Sequence, residues 1–196
     1  MANEYKFTRD WFSWAPPVWE QLTQHLPNKK AFLEIGSFEG RSTTWIVENM
    51  MEDGGEIICI DTWQGGEEHV NGEMEGAWAN FDYNMYLLRK KFPERKVSPM
   101  MSLSTSELAR QISLNNKYAF IYIDGSHIAK DVLTDACLAW PLLEKGGFMV
   151  FDDYLWGDFT RPNHVPKPAV DAFVNIFIEE LQIAHVGYQL VVRKTK

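Results

Sequence analysis

The chain alternates short, continuously apolar runs with longer segments in which apolar residues recur at helical spacing. Buried parallel strands are typically continuous hydrophobic runs, so the short runs predict strands at residues 31–35, 56–60, 96–101, 118–123 and 148–151. The longer segments predict helices at residues 16–26, 42–51, 77–92, 104–112, 129–143 and 169–181. Two further runs, 182–186 and 189–193, flank Gly187 and predict a closing β-hairpin.

This alternation of elements predicts an α/β fold. Parallel neighbours need crossover connections, so repeated strand–helix units place helices on both faces of a mainly parallel sheet. We therefore expect one Rossmann-like, doubly wound domain over residues 1–196, with the hairpin adding an antiparallel edge. Two parts stand apart from the repeating units: an N-terminal helical segment, residues 1–30, and a lid-like insertion, residues 62–95, rich in glycines, acids and aromatics.

The composition narrows the range of partners. Lys and Arg total 19 against 27 for Asp and Glu, and the net charge of −8 repels phosphate backbones and anionic lipid surfaces. No run approaches the roughly 20 apolar residues that a membrane span needs, and the N-terminus lacks an apolar signal region. Cys59 and Cys137 lie in apolar segments and are expected to be reduced core residues. We expect a cytoplasmic protein that binds neither nucleic acid nor membrane; homo-oligomer formation is left open.

Two of the predicted strands end abruptly in carboxylates. Asp124 follows residues 118–123, and Asp152 and Asp153 follow residues 148–151. Ligands of open α/β sheets bind in the crevice beyond the carboxyl ends of the strands, so these acids are expected to face a site. Mg²⁺ prefers oxygen ligands, and adjacent acids repel each other unless a cation or proton is present. The pattern predicts a divalent cation held by the three aspartates; alternatively, Asp152 or Asp153 only caps the following loop.

A glycine-containing loop follows the first predicted strand. Gly36 and Gly40 would let a ligand approach the backbone closely, and Asp61 ends the second strand, where an acid can accept hydrogen bonds from ribose hydroxyls. The spacing lacks the three glycines of a nicotinamide-binding loop, and Glu34 and Glu39 make it a poor pyrophosphate cradle. A cationic, phosphate-free nucleoside such as S-adenosylmethionine suits these acids. The alternative is a tight turn without a ligand.

Taken together, these motifs resemble the cofactor-binding series of class I S-adenosylmethionine-dependent methyltransferases, over most of residues 31–153. The surroundings of Asp124 and of Asp152-Asp153 are similar to those of the metal-dependent O-methyltransferases of the catechol, caffeoyl-coenzyme A and macrocin types, and to a group of small bacterial methyltransferases. The resemblance implies that the metal ligands are Asp124, Asp152 and Asp153. It also implies a set of cofactor-binding residues: Glu34, Gly36, Ser37, Gly40, Ser42, Asp61, Trp63, Ser102 and Asp124.

The resemblance assigns parts of the cofactor to some of these residues. Gly36, Ser37 and Gly40 would line its methionine end. Asp61 would bind the ribose, and Trp63 or Ser102 would lie near the adenine. The small residue expected before Ser102 is replaced here by Met100-Met101.

His127 lies three residues after Asp124, where the catechol-type enzymes carry a lysine that acts as general base. Histidine can accept a hydroxyl proton near neutral pH, so His127 is a candidate catalytic base alongside Asp124. The alternative is a histidine at a helix N-terminus that only hydrogen-bonds a neighbour. Some aromatic residues could wall an acceptor site: Trp11, Trp14 and Trp19 near the N-terminus, and Trp78, Phe81, Tyr83 and Tyr86 in the insertion. Aromatic residues at helical spacing are usually core, so core positions are expected.

The function expected from this sequence is methyl transfer from S-adenosylmethionine to a hydroxyl of a small acceptor, such as a sugar, polyketide or phenolic compound, with help from a divalent cation, Mg²⁺ being expected. Two alternatives remain. One is an S-adenosylmethionine-binding protein without transfer activity; the other is a nicotinamide-dependent oxidoreductase, which the glycine spacing disfavours.

Overall fold

The computed structural model describes residues 4–66, 74–157 and 160–196. Within them, six helices and seven strands alternate much as predicted. The helices are α1 (Pro16–Thr23), α2 (Arg41–Asn49), α3 (Ala77–Lys91), α4 (Ser104–Ser113), α5 (Ala129–Ala139) and α6 (Lys167–Ile176). The strands are β1 (Ala31–Ile35), β2 (Glu56–Asp61), β3 (Lys96–Met101), β4 (Tyr118–Ile123), β5 (Leu143–Phe151), β6 (Leu181–Val186) and β7 (Leu190–Lys194).

The strands of the described chain form one sheet in the order β3-β2-β1-β4-β5-β7-β6. The strands β1 to β5 are parallel, and β7 runs antiparallel to both β5 and β6. This confirms the predicted mainly parallel sheet with an antiparallel hairpin edge. The chain order reverses between β1 and β4, which creates the crevice where ligands of such folds bind.

Strand register sets the level at which the functional residues leave the sheet. Ile35 of β1 is paired with Ile60 of β2 and with Ile123 of β4, and Ile123 is paired in turn with Phe151 of β5. The residues that directly follow these positions therefore emerge side by side at one rim.

Each face of the sheet carries its own apolar core. Trp19, Ile46 and Phe81 contribute from α1, α2 and α3 to one core, whereas Leu108, Val132 and Phe173 contribute from α4, α5 and α6 to the other. Strand β4 is buried along its whole length because it lies in the middle of the sheet with helices on both sides. The sheet rim is thus held by packing on two sides.

Helix α5 is shorter than the prediction of 129–143. It ends at Ala139, and residues Trp140–Leu142 form a 3₁₀ turn. Pro141 has no N–H to donate to the carbonyl four residues back, so the α-helical hydrogen bonds stop there and a 3₁₀ turn follows. Strand β5 consequently begins at Leu143 and includes Gly146 and Gly147, which had been expected to precede the strand.

The two regions set apart by sequence differ from expectation. Of the N-terminal segment 1–30, only Pro16–Thr23 is helical among the described residues. Part of the predicted insertion 62–95, residues 67–73, lies outside the described residues. Helix α3, within the same range, buries Phe81 against the sheet and connects β2 to β3, so it is an integral crossover.

Both cysteines are free, as expected, but the prediction that both are core residues is wrong for Cys137. Cys59 is buried, whereas Cys137 is exposed, because Val132, Ala136 and Ala139 form the buried side of α5. Among the described residues, no helix is both long enough and apolar enough to cross a membrane.

Candidate active site

A cavity of about 1070 Å³ opens at the carboxyl ends of β1, β2, β4 and β5. Of the residues proposed from sequence, seven line it: Gly36, Asp61, Ser102, Asp124, His127, Asp152 and Asp153. The strand register explains this convergence, since these residues follow paired strand ends. The rim thus brings the proposed cofactor loop and the proposed metal site into one cavity.

Gly36 is a position that only glycine can occupy. Its φ is +85°, and a Cβ atom there would lie 1.8 Å from the carbonyl oxygen of Asp124. The loop after β1 therefore presses directly against the end of β4. Glycine is therefore needed for this packing, and Gly36 and Asp124 line the cavity side by side.

Asp61 organises the cofactor loop from the end of β2. Its Oδ2 accepts hydrogen bonds from the backbone N–H of Ser37 (2.9 Å) and of Phe38 (2.8 Å), and its Oδ1 accepts one from the N–H of Trp63 (2.6 Å). Carboxylate oxygens have further lone pairs, so Asp61 can still accept from ribose hydroxyls. Phe38 and Trp63 have φ values of 45° and 52°, a strained conformation that concentrates at functional sites.

Several other proposed cofactor residues point away from the cavity. Glu34 is fully buried and accepts hydrogen bonds from Ser42 Oγ (2.6 Å) and from Thr43. Burial raises the pKa of Glu34. Gly40 begins α2 and leaves space for Met85 and Phe81 of α3, which a Cβ would contact at 2.7 and 3.0 Å.

Ser37 and Trp63 also lie behind the loop. Ser37 is 2% exposed and lines only a small pocket beside the main cavity, as does Ser42. The Trp63 indole is buried against Phe81 and donates from Nε1 to the carbonyl of Phe38 (2.7 Å). These residues support the loop, and Ser102 is the proposed adenine neighbour that faces the cavity.

Glu39, which sequence reasoning placed near a cationic ligand, is also turned inward. It is 2% exposed, and its carboxylate accepts hydrogen bonds from the backbone N–H of Thr8 (2.5 Å), from Thr8 Oγ1 (3.0 Å) and from Asn80 Nδ2 (2.7 Å). Glu39 therefore anchors the N-terminal segment to the cofactor loop. The negative charge of the cavity comes from its aspartates instead.

Asp124, His127 and Asp153 form a cluster whose potential ligand atoms lie within 4.8 Å of one another. His127 Nε2 lies 2.7 Å from Asp153 Oδ2. Asp153 has a φ of 53°, so a strained backbone directs its carboxylate into this cluster. Two carboxylates and an imidazole are a donor set that divalent metal ions use, and they fit a single cation.

Asp152 lies behind this cluster and is 6% exposed. It accepts a hydrogen bond from the Tyr122 hydroxyl, and its Oδ1 accepts one from the N–H of Asp153 (2.8 Å). Burial and then the charge of Asp153 raise the pKa of Asp152 to about 7. Burial, followed by the charges of Asp152 and Asp153, raises the pKa of Asp124 well above its usual range. Such acids stay ionised together only with a cation beside them.

The cavity has an aromatic wall; sequence reasoning considered Trp11 and Trp14 for it but missed Trp156 and Tyr188. Trp14 packs edge to face on Tyr188 with ring centroids 4.8 Å apart, and Trp156 lies 4.2 Å from the ring of His127. All four residues line the cavity, as does Trp11. The expectation that Trp11 and Trp14 are core residues is wrong, since they are 48% and 41% exposed. The prediction fails because these residues lie in the bend and turn that precede α1 and not on a helix.

The residue pattern of this site is matched by a known family. A family profile described as a methyltransferase domain matches residues 33–154, which is more than half of the chain. The chain therefore belongs to this methyltransferase domain family, and its resemblance to class I S-adenosylmethionine-dependent methyltransferases is confirmed.

One relative of the chain is an uncharacterized protein of Acanthamoeba polyphaga mimivirus. It is 27% identical over 126 residues, which are 63% of this chain and 51% of the viral protein. The chain thus spans about half the length of this curated relative.

Solved structures show the same fold. The O-methyltransferase from Bacillus cereus, in complex with SAH, has a TM-score of 0.63 and 16% identity, covering 92% of this chain and 82% of that one. The MycE methyltransferase from the mycinamycin biosynthetic pathway, in complex with Mg and SAH, has a TM-score of 0.63 and 14% identity, covering 96% of this chain and 51% of that one. These identities establish likeness of fold.

Proposed function

We propose that this protein is an S-adenosylmethionine-dependent O-methyltransferase that acts, as a single domain, on a small hydroxylated molecule with the help of a divalent cation. The observation that carries the proposal is the placement of the Asp124, His127 and Asp153 cluster in the same cavity as Gly36 and Asp61. Family membership supports methyl transfer, and the fold is shared with proteins solved with SAH and with Mg and SAH.

The cofactor fits the end of the cavity between Gly36 and Ser102. Gly36 and Asp124 line this part of the cavity side by side, and Asp61 offers carboxylate oxygens for the ribose hydroxyls. Ser102 lies at the far end, held by a hydrogen bond from its N–H to the carbonyl of Asp61 (3.1 Å). When bound, the cofactor supplies an electrophilic methyl group on a sulfonium. Asp124 lines the cavity beside Gly36 and also belongs to the cation cluster, and its negative charge would compensate the positive charge of the sulfonium.

A cation held by Asp124, His127 and Asp153 would lower the pKa of an acceptor hydroxyl and fix its orientation. In the transfer, a bond forms between the acceptor oxygen and the methyl carbon, and the carbon–sulfur bond breaks with its electron pair remaining on sulfur. The hydroxyl proton passes to water, or to His127 in its alternative role as general base. The residues of the cluster would hold the cation, and through it the acceptor oxygen would be oriented beside the cofactor loop. Asp152 contributes from behind by adding negative charge and by accepting from Tyr122.

His127 can serve in one of two ways, and the geometry favours one. Its Nε2 already contacts Asp153, within a cluster in which it offers a ligand atom. We therefore assign His127 to the cation site, with the role of general base as the alternative. An imidazole ligand is softer than the oxygen ligands that Mg²⁺ prefers, so Mn²⁺ should support transfer at least as well as Mg²⁺.

Partners and compartment follow from charge and redox state. The net charge of −8 and the acidic cavity argue against nucleic acid and anionic membranes as substrates. Two free cysteines are compatible with a reducing, cytoplasmic location. Self-association is left to measurement of the mass in solution.

The proposal is tested by release of S-adenosylhomocysteine from S-adenosylmethionine across a panel of small hydroxylated acceptors. Release should require an acceptor, stop in EDTA, and return when Mg²⁺ or Mn²⁺ is added. Full activity in chelator would remove the cation from the proposal. Cofactor binding without release for any acceptor would favour the alternative of a binding protein without transfer activity.

A further inference from the structure

The charge of the cavity is strongly one-sided. Seven aspartates line it, whereas Lys130 is the single lysine or arginine among its described lining residues. The sequence of residues 67–73 and 158–159 also contains no lysine or arginine. A divalent cation and a cationic cofactor reduce the negative charge without reversing it. An acceptor that carries phosphate or carboxylate would enter against this field, and none of the described lining residues offers it an arginine.

Aromatic side chains line the cavity around the cluster of Asp124, His127 and Asp153. Tyr188 lines the cavity together with Asp153. Trp14 packs on Tyr188 on one side, and Trp156 packs on His127 on the other. Aromatic faces bind other rings, both aromatic and carbohydrate, and attract cations.

The side of this wall that comes from the N-terminal segment is fixed in place. Thr8 is held by the buried carboxylate of Glu39, and Lys6 pairs through its backbone N–H and carbonyl with the side chain of Asn84 at 2.7 and 2.8 Å. Trp11 stacks on Phe38 of the cofactor loop with centroids 5.0 Å apart. Trp14 is therefore presented to the cavity by a segment tied to the loop that holds the cofactor.

From this geometry we infer that the acceptor is a hydroxylated ring without any anionic group, neutral or positively charged, bound between the Trp14–Tyr188 pair and the Trp156–His127 pair. The inference rests on the proposed function and names the substrate class of the same site. It excludes nucleotide-linked sugars, coenzyme A thioesters and carboxylated phenolics as preferred acceptors. An aromatic ring and a sugar ring share this chemistry.

The test is a calorimetric titration of the full-length protein with two matched ring series, each with Mn²⁺ present and both with and without S-adenosylhomocysteine. One series carries a 3,4-dihydroxyphenyl ring and the other a methyl glycoside ring. Each has a neutral, an amine, a carboxylate and a phosphate member. We expect the neutral and amine members of one series to bind at least about tenfold more tightly than its anionic members, and the series that binds identifies the ring.

Two results would overturn the inference: equal or tighter binding of the anionic members, or no binding of either series. The separate titration with S-adenosylhomocysteine distinguishes these failures from failure of the proposed function. If the cofactor product binds while the rings do not, only the inference about the acceptor is wrong.

A pair of variants tests the wall itself. Trp14→Ala should weaken ring binding by about tenfold and leave binding of S-adenosylhomocysteine unchanged. Trp78→Ala is the matched control, because Trp78 has similar exposure, 38% against 41% for Trp14, but is not among the cavity-lining residues. Unchanged ring affinity in Trp14→Ala, or an equal loss in both variants, would contradict the assignment.

Discussion

The hydroxyl of Tyr122 contacts the carboxylates of both Asp124 and Asp152, with a distance of 2.9 Å to Asp124 Oδ2. A phenol has one hydrogen to donate, so it satisfies one carboxylate at a time, and the other contact needs a proton on the carboxyl itself. The raised pKa values of the two acids agree with such a shared proton. Tyr122 thus holds together the acidic pair that a cation would neutralise.

We predict that Tyr122→Phe destabilises the cation-free protein at pH 8 by about 1–3 kcal/mol, because it leaves buried carboxylates without their donor. Mn²⁺ should restore part of the loss. The measurement is denaturant unfolding with and without Mn²⁺. Tyr118→Phe is the control on the same strand, since the Tyr118 hydroxyl donates to the neutral side chain of Gln111 (2.6 Å). Equal restoration by Mn²⁺ in both variants would contradict the account.

Asp61→Asn should weaken binding of S-adenosylhomocysteine by about tenfold or more, a loss of about 1.4 kcal/mol. The substitution replaces an acceptor of three backbone hydrogen bonds and removes the charge that we propose binds the ribose. Calorimetry provides the affinity. Asp53→Asn serves as the control, because Asp53 is exposed and pairs with Arg95 (3.0 Å). An affinity unchanged by Asp61→Asn would show that this carboxylate does not bind the cofactor.

His127→Ala distinguishes a cation ligand from a general base. If His127 is a cation ligand, its removal should raise the Mn²⁺ concentration needed for half-maximal activity by about tenfold. As a base, its loss would lower kcat by about 10²-fold or more without changing that concentration. We expect the first outcome from activity measured against Mn²⁺ concentration, and the second would contradict it. His164→Ala, which also removes an imidazole from the cavity lining, is the control.

Asp135 links stability to pH. Burial raises the pKa of Asp135 to about 6, above its usual value of 3.8, while Ser104 Oγ donates to its Oδ1 (2.6 Å). A raised pKa means that the folded protein favours the protonated acid, so this stabilisation is full below about pH 3.8 and is lost as the pH rises through about 6. The free energy of unfolding should therefore fall by roughly 3 kcal/mol less in Asp135→Asn than in the wild type as the pH rises over this range.

The Asp135 prediction is checked by unfolding free energies of the wild type and variant between pH 4 and 7 on a common scale. The difference between the two proteins should grow with pH across this window. Asp53→Asn should show no such trend, because Asp53 is exposed. A constant difference for Asp135→Asn would mean that the buried carboxyl does not titrate in the window.

The sheet and the level of its strand ends were predictable because buried parallel strands are continuous apolar runs. Asp61, Asp124 and Asp152 follow such runs directly, so their convergence needed only the parallel register. The direction of each side chain was not predictable in the same way. Glu34 and Glu39 look like ligands in the sequence, but one accepts from Ser42 and Thr43 and the other from the N-terminal segment.

The acceptor wall could not be predicted because it depends on contacts between distant parts of the chain. Trp14 meets Tyr188 only after the C-terminal hairpin has paired with β5. Tyr122 looks like an ordinary strand residue until the register of β4 and β5 places it beside Asp152. Local pattern carries no information on such pairs. It did contain the signal for the early end of α5, in Pro141.

The central claim, that this cavity holds S-adenosylmethionine, is tested most directly by calorimetric titration of the protein with S-adenosylmethionine and, separately, with NAD. We predict saturable binding of S-adenosylmethionine at one site per chain and no binding of NAD. No heat of binding with S-adenosylmethionine, or binding of NAD with comparable affinity, would contradict the assignment of the cofactor site.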